Sequence, residues 1–236
     1  TFFGYMMAHP GKKLLFMGQD FGQFIEWDEK KQLDWMLLSY DKHRELQGYV
    51  KDLNHFYRDT PALWQVDYSW EGFQWIVPDD SKQSVIAFLR RDAAGKMILV
   101  VCNFNPVLRK DYQMGVPNPG SYKEILNSDD KKYGGTGVTN GTVKAKKGPM
   151  HGFDQHISLT LPPLSTIYLS VPAARKPKAE KSTTEKAADK PAKTAKKPVA
   201  KKAAKPTAKA DAPAGEAKTQ AAPKRRGRPP KAKTTV

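Results

Sequence analysis

Cysteine is all but missing from these 236 residues: Cys102 stands alone. That excludes an internal disulfide framework and a cysteine-built zinc site. Set in the apolar run MILVVCNF, Cys102 reads as a small buried hydrophobe in a reducing compartment. Long apolar runs are missing as well. None approaches the roughly 20 residues needed to span a bilayer, and no secretory pattern is visible, so no membrane association is expected and the expected location is cytoplasmic. The five histidines, His9, His43, His55, His151 and His156, show no ligand spacing. The glycine-rich YGGTGVTNG lacks the strand-to-helix setting and the lysine of a phosphate loop. Neither a metal site nor a cofactor is expected.

A further absence is confined to one end. From Ala173 to Val236 there is no aromatic residue, and only Val199 and Val236 are aliphatics larger than alanine. Such a segment buries too little apolar surface to offset its ordering entropy, so 173–236 is expected to be a disordered basic tail. It holds 20 of the 40 Lys+Arg and 5 of the 24 Asp+Glu, a net +15, which leaves the first 172 residues at 20 basic against 19 acidic, or +1. The sequence pI near 9.7 therefore describes the tail and not the folded part.

Up to Pro172 the chain is rich in aromatic and aliphatic residues and long enough for a substantial core. TFFGYMMAH reads as the end of a helix stopped by Pro10-Gly11. The uninterrupted apolar KLLFM, Lys13–Met17, reads as a strand covered on both faces, as in a parallel sheet flanked by helices. DKHRELQGYVKDLNHFYRD places Leu46, Val50, Leu53 and Tyr57 at helical spacing, with Asp41 as its expected N-cap and Thr60-Pro61 as its end. Asp34, before Trp35, reads as another cap. From Trp70 the pattern changes to short strands, FQWIV, SVIAFLR, MILVVCNF, YKEIL, HISLTL and STIYLSV, separated by turn sequences. The pair joined by RDAAGK is the clearest hairpin. This series without intervening helices predicts an antiparallel β-sandwich. Asn140, in NGT, reads as a turn residue and not as a glycosylation acceptor.

Immediately after KLLFM the chain changes character, to GQDFGQFIEW. Gly18 and Gly22 permit sharp turns, Gln19, Asp20 and Glu26 offer polar forks, and Phe21 and Trp27 offer flat apolar faces. If KLLFM is a barrel strand, this loop leaves its C-terminal end, where barrel enzymes assemble their sites. Amides and carboxylates beside aromatic faces suit a sugar ring. On the bland reading, Asp20 and Glu26 are ordinary loop carboxylates and Trp27 and Trp35 bury against a neighbouring helix.

LLFMGQDFGQFIEWDEKKQLDWMLL, DLNHFYRDTPALW, NFNPVLRKDYQMGVPNPGSYKEILNSDDKKYGG and LTLPPLSTIYL together resemble the C-terminal part of bacterial 1,4-α-glucan (glycogen) branching enzymes, in the α-amylase superfamily. The resemblance runs from about Thr1 to Val171. It implies an α/β plus all-β fold, the last strand-helix unit of a (β/α)8 barrel (1–62) followed by an antiparallel β-sandwich (63–172). It also implies transfer of α-1,4-glucan segments to α-1,6 branch points in glycogen biosynthesis, by retaining double displacement, with α-glucan as the partner. The family's nucleophilic aspartate, its glutamate acid/base and its further sugar-binding aspartate lie on loops upstream of the position matching Thr1. No catalytic residue is therefore expected in this chain, and the chain alone is expected to be inactive. The expected substrate-binding residues are Gln19, Asp20, Phe21, Glu26 and Trp27. The family often has Glu at the position of Asp20.

The tail resembles two other things. Its Lys/Ala/Pro repeats are similar to linker-histone tails, and 224–231, within PKRRGRPPK, resembles an AT-hook with Arg226, Gly227, Arg228 and Pro229 as its core. Weak nucleic-acid binding through these residues is one expectation, and a merely solvating low-complexity extension is the bland one. Two alternative functions stay open on the sequence, a basic-tailed nucleic-acid-binding protein and a related glucan debranching or hydrolysing enzyme.

Overall fold

The structure is a computed structural model, and it describes residues 1–174. The expectations for 175–236, the AT-hook-like motif included, lie outside the described residues.

The described residues lie in one compact unit. Two short-range helices lead it, α1 (Phe2–Ala8) and α2 (Asp41–Asp59), and nine strands follow. These are β1 (Phe73–Asp80), β2 (Val85–Arg91), β3 (Met97–Asn103), β4 (Arg109–Val116), β5 (Ser121–Asn127), β6 (Thr142–Lys144), β7 (Lys146–Met150), β8 (Phe153–Leu161) and β9 (Ser165–Ser170). They make a six-stranded sheet, β1-β2-β3-β9-β5-β6, and a three-stranded sheet, β4-β8-β7, antiparallel throughout. The inner faces meet over a core that includes Leu89, Leu99 and Ile167 from one sheet and Met114, Ile157 and Leu159 from the other. This is an all-β sandwich.

The RDAAGK turn is built as its sequence suggests. Asp92 accepts at its side chain from the Ala94 and Lys96 amides, and Gly95 takes φ 81°, so β2 and β3 run in register from Val85↔Asn103 to Arg91↔Met97. β3 lacks the in-out alternation of a half-exposed strand because the helices cover its second face. Phe88, Ile98, Val100, Cys102 and Tyr168 point away from the sandwich interior into a second core with Met7, Ala8, Tyr49, Leu53 and Leu63. Gly4 permits the close approach: a Cβ there would lie 2.7 Å from both Thr166 Cβ and the Tyr49 hydroxyl oxygen.

α1 ends before Pro10-Gly11 as its sequence requires, but Lys13–Met17 is not a strand. It is irregular chain that enters a turn at Met17, without a ladder partner among the described residues, and Leu14 is 72% exposed. An apolar run becomes a strand only when a neighbouring strand supplies its hydrogen bonds, and none lies beside this one. Asp41 is also one position off its expected role. Tyr40 occupies the N-cap without a side-chain bond, while Asp41 begins the helix and pairs with Arg44, its charge favourable in the first turn. Asp34 does precede a 3-10 turn, Trp35–Ser39, yet caps it with no side-chain bond. Asn140 lies just before β6, outside any assigned turn, and is held by its side chain. Its amide donates to Glu124 Oε2 and the Thr160 carbonyl, and its oxygen accepts from the Thr160 amide.

Candidate functional site

The loop after Lys13–Met17 is shaped by two left-handed glycines, Gly18 (φ 76°) and Gly22 (φ 71°), which bracket a single 3-10 turn, Gln19–Phe21. That turn sends its three side chains to different places. Gln19 folds back, its Oε1 accepting from the Phe16 amide at 2.9 Å. Asp20 faces α2, where Gln47 Nε2 donates to its Oδ2 at 3.2 Å. Phe21 is fully buried, its ring 5.4 Å from that of Trp35, while His43 Nδ1 sits 2.7 Å from the Phe21 carbonyl oxygen. Phe21 therefore packs the loop onto α2 and offers no ring face to a ligand, which corrects the expectation drawn from its residue type.

Gln19, Glu26 and Trp27 come together. With Phe16, Met17 and Gln23 they line an open hollow of about 490 Å³. Trp27 is 43% exposed and stands edge-on to Phe16 at 5.6 Å. Gln23 braces the hollow from beneath, its Oε1 accepting from the Asp34 amide at 2.9 Å and its Nε2 donating to the Ile25 carbonyl. Neither Trp27 nor Trp35 buries against a helix as the bland reading had it, since Trp35 is also exposed.

Asp20 belongs to a second, polar hollow of about 570 Å³ on the outside of α2, with Arg44, Gln47, Lys51, Asn54 and His55. The residues that sequence reasoning missed here had a signal. Arg44, Gln47, Lys51 and Asn54 repeat at helical spacing and so share one face. Phe16 and Gln23 had no such signal, because only the two glycine turns bring them beside Trp27.

Residues 75–172 match the alpha amylase C-terminal all-beta domain. The chain is 51% identical over 170 residues to a 1,4-alpha-glucan branching enzyme GlgB of Halothermothrix orenii. It is 58% identical over 169 residues to that of Aquifex aeolicus and 51% over 170 to that of Rubrobacter xylanophilus. Over that stretch the chain is similar to the GlgB branching enzymes. These matches cover 71%, 71% and 72% of this chain and 27%, 27% and 24% of the relatives, so the chain spans about a quarter of their length. Each match is longer than the stretch 75–172 that matches the all-β domain.

Proposed function

We propose that this chain is the C-terminal part of a 1,4-α-glucan branching enzyme, with 1–62 the end of its catalytic (β/α)8 barrel and 63–172 the all-β domain behind it. The observation that carries this reading is similarity at 51–58% identity to the branching enzymes, over a span longer than the sandwich alone. The exposed apolar side chains of the leading segment support it. Leu14, Phe16, Met17, Phe24, Ile25 and Met36 are all exposed, four of them, Phe16, Met17, Phe24 and Ile25, around one hollow, and exposed apolar groups gathered in this way mark a face that another part of a protein covers. Leu15 packs against the second core while Leu14, Phe16 and Met17 stay exposed, as expected of a strand whose sheet neighbours lie elsewhere.

In this reading the hollow of Gln19, Glu26 and Trp27 is part of the glucan-facing wall. Trp27 supplies an apolar face for a pyranose ring, and Glu26 and Gln19 supply acceptor and donor groups for its hydroxyls. The nucleophilic aspartate and the glutamate acid/base of the retaining double displacement belong to the remainder of the enzyme. There a sugar hydroxyl, in place of water, attacks the glycosyl-enzyme intermediate to form the α-1,6 bond. The chain acts on cytoplasmic α-glucan as a component and not as a catalyst.

Two measurements test this. Amylose incubated with the chain should keep its iodine colour, and a loss beyond that of a heat-killed control would place the chemistry within these residues. In gels cast with amylopectin, Trp27→Ala should lose retardation relative to wild type, and unchanged retardation would remove Trp27 from the wall.

A further inference from the structure

A single carboxamide spans the loop that carries Trp27. Gln23 Oε1 accepts from the Asp34 amide at 2.9 Å, and Gln23 Nε2 donates to the Ile25 carbonyl at 3.1 Å. The first bond reaches 11 residues along the chain, to the residue that precedes the 3-10 turn Trp35–Ser39. The backbone of the same glutamine is tied as well, its amide donating to the Gly18 carbonyl at 3.0 Å. Gly18 leaves room for that arrangement, since a Cβ there would lie 2.9 Å from Gln23 Cβ and 3.0 Å from its Oε1. The segment 24–33, which Gln23 closes at both ends, has little else to hold it. Phe24, Ile25, Glu26, Trp27 and 29–32 are exposed. Among the described residues, its other hydrogen bonds are local. The Lys30 and Lys31 amides donate to Asp28, and the Leu33 carbonyl accepts from the Trp35 amide. Two edge-on ring contacts, Trp27 with Phe16 and Phe24 with His43, add to these.

We propose that Gln23 is a positioning residue for the hollow: its carboxamide holds both ends of 24–33 and so fixes where Glu26 and Trp27 stand. An amide suits this place because it presents a donor and an acceptor on one planar group, and the chain offers it a carbonyl at Ile25 and an N–H at Asp34. A carboxylate of the same shape accepts from Asp34 but cannot donate to Ile25, and a leucine does neither. Without the clasp, an exposed ten-residue segment regains backbone freedom that ligand binding must then remove. With it, the Trp27 face is already in place when a pyranose ring arrives, and ordering of the loop does not oppose binding. The effect on glucan rests on the branching-enzyme reading, whereas the placement of Trp27 by Gln23 does not.

Two measurements on the full chain keep those parts distinct. The first is fluorine NMR of protein carrying fluorotryptophan, with the Trp27 resonance assigned by its loss in Trp27→Phe. In Gln23→Leu that resonance should shift or broaden, while those of Trp70 and Trp75, in the lead into β1 and in β1 itself, stay in place. Gln23→Glu, which keeps one of the two bonds, should show a smaller change, and it serves as the variant if Gln23→Leu does not fold. The second measurement is retardation in gels cast with amylopectin. Affinity should fall several-fold in Gln23→Leu, and the same change in a Trp27→Ala background should add nothing, because Gln23 acts through Trp27. An unmoved Trp27 resonance in the Gln23 variants would overturn the positioning role. A displaced resonance with wild-type retardation, or an equal loss in both backgrounds, would overturn its action on glucan through Trp27. Unchanged retardation in Trp27→Ala alone would instead remove the glucan-facing wall, and the fluorine spectrum would still decide the positioning.

Discussion

Arg90 and Asp67 fasten the helical segment to the sandwich. Arg90 Nη2 lies 2.6 Å from Asp67 Oδ1, and the two side chains are 0% and 8% exposed. The rest of both groups is satisfied as well. The Arg90 guanidinium donates to the carbonyls of Ala8 and Gly72, and the Gly11 amide donates to Asp67 Oδ2. One buried cation thus joins the end of α1, the Pro10-Gly11 turn, the connection into β1 and the strand β2. Breaking such a pair on one side leaves an uncompensated buried charge, which costs about 3–5 kcal/mol. Arg90→Met and Asp67→Asn are each expected to lower stability in urea unfolding by that order. A loss under about 1 kcal/mol would show that the pair is not the fastening.

Lys13 lies beside the same pair. Burial pulls its ammonium down to about 8, with Asp67 opposing the shift and Arg90 adding to it. Between about 8 and the ordinary 10.5 the unfolded chain binds more protons at this residue than the folded one, so its contribution to stability rises with pH there. Below about pH 8 both states are protonated and the burial penalty is fully present. Thermal melts of wild type and Lys13→Met across pH 7–10.5 should show the difference moving in favour of wild type as pH rises. A pH-independent difference would contradict this.

Cys102 lies under α1 with Thr166 as its hydrogen-bond neighbour, and burial pushes its thiol up to about 12. A buried thiol kept protonated does not react. An aromatic disulfide reagent at pH 8 should release no colour from the native chain and one equivalent after unfolding. Rapid native labelling would mean that the second core opens readily.

Phe21 and Trp27 sit six residues apart with opposite duties. Phe21→Ala removes a fully buried ring and is expected to cost about 3–5 kcal/mol of stability. Trp27→Ala removes a half-exposed ring and should leave the melting temperature nearly unchanged. A large stability loss in Trp27→Ala would make it a packing residue.

The contrast between those two aromatics also marks how far the sequence could be read. Elements written in local chemistry were legible: α1 stopped by Pro10-Gly11, α2 from its apolar spacing, and the β2–β3 hairpin from two runs of β-branched and aromatic residues around a Gly-containing turn. β4 was hidden because it opens with Arg109-Lys110-Asp111 and carries a bulge where Asp111 takes φ 52°. β6 and β7 were hidden because edge strands carry lysine, glycine and proline, which read as loop. Lys13–Met17 misled for the converse reason, since its composition is that of a strand while strandhood depends on a partner. In the candidate site, Gln19, Glu26 and Trp27 line one hollow. The burial of Phe21 depends on Trp35, fourteen residues on, and no local pattern announces it.

The most direct test of the account is an exchange. Residues 1–172 of this chain should replace the matching stretch of a branching-enzyme relative, such as the 169 residues that are 58% identical. The product is then assayed for new α-1,6 branch points by debranching amylose and counting the chain ends released. If this chain is the C-terminal part of a branching enzyme, the exchanged protein should form branches, and Trp27→Ala within it should reduce the yield. An exchanged protein that melts cooperatively, binds glucan through its own remaining domains and yet forms no branches would contradict it.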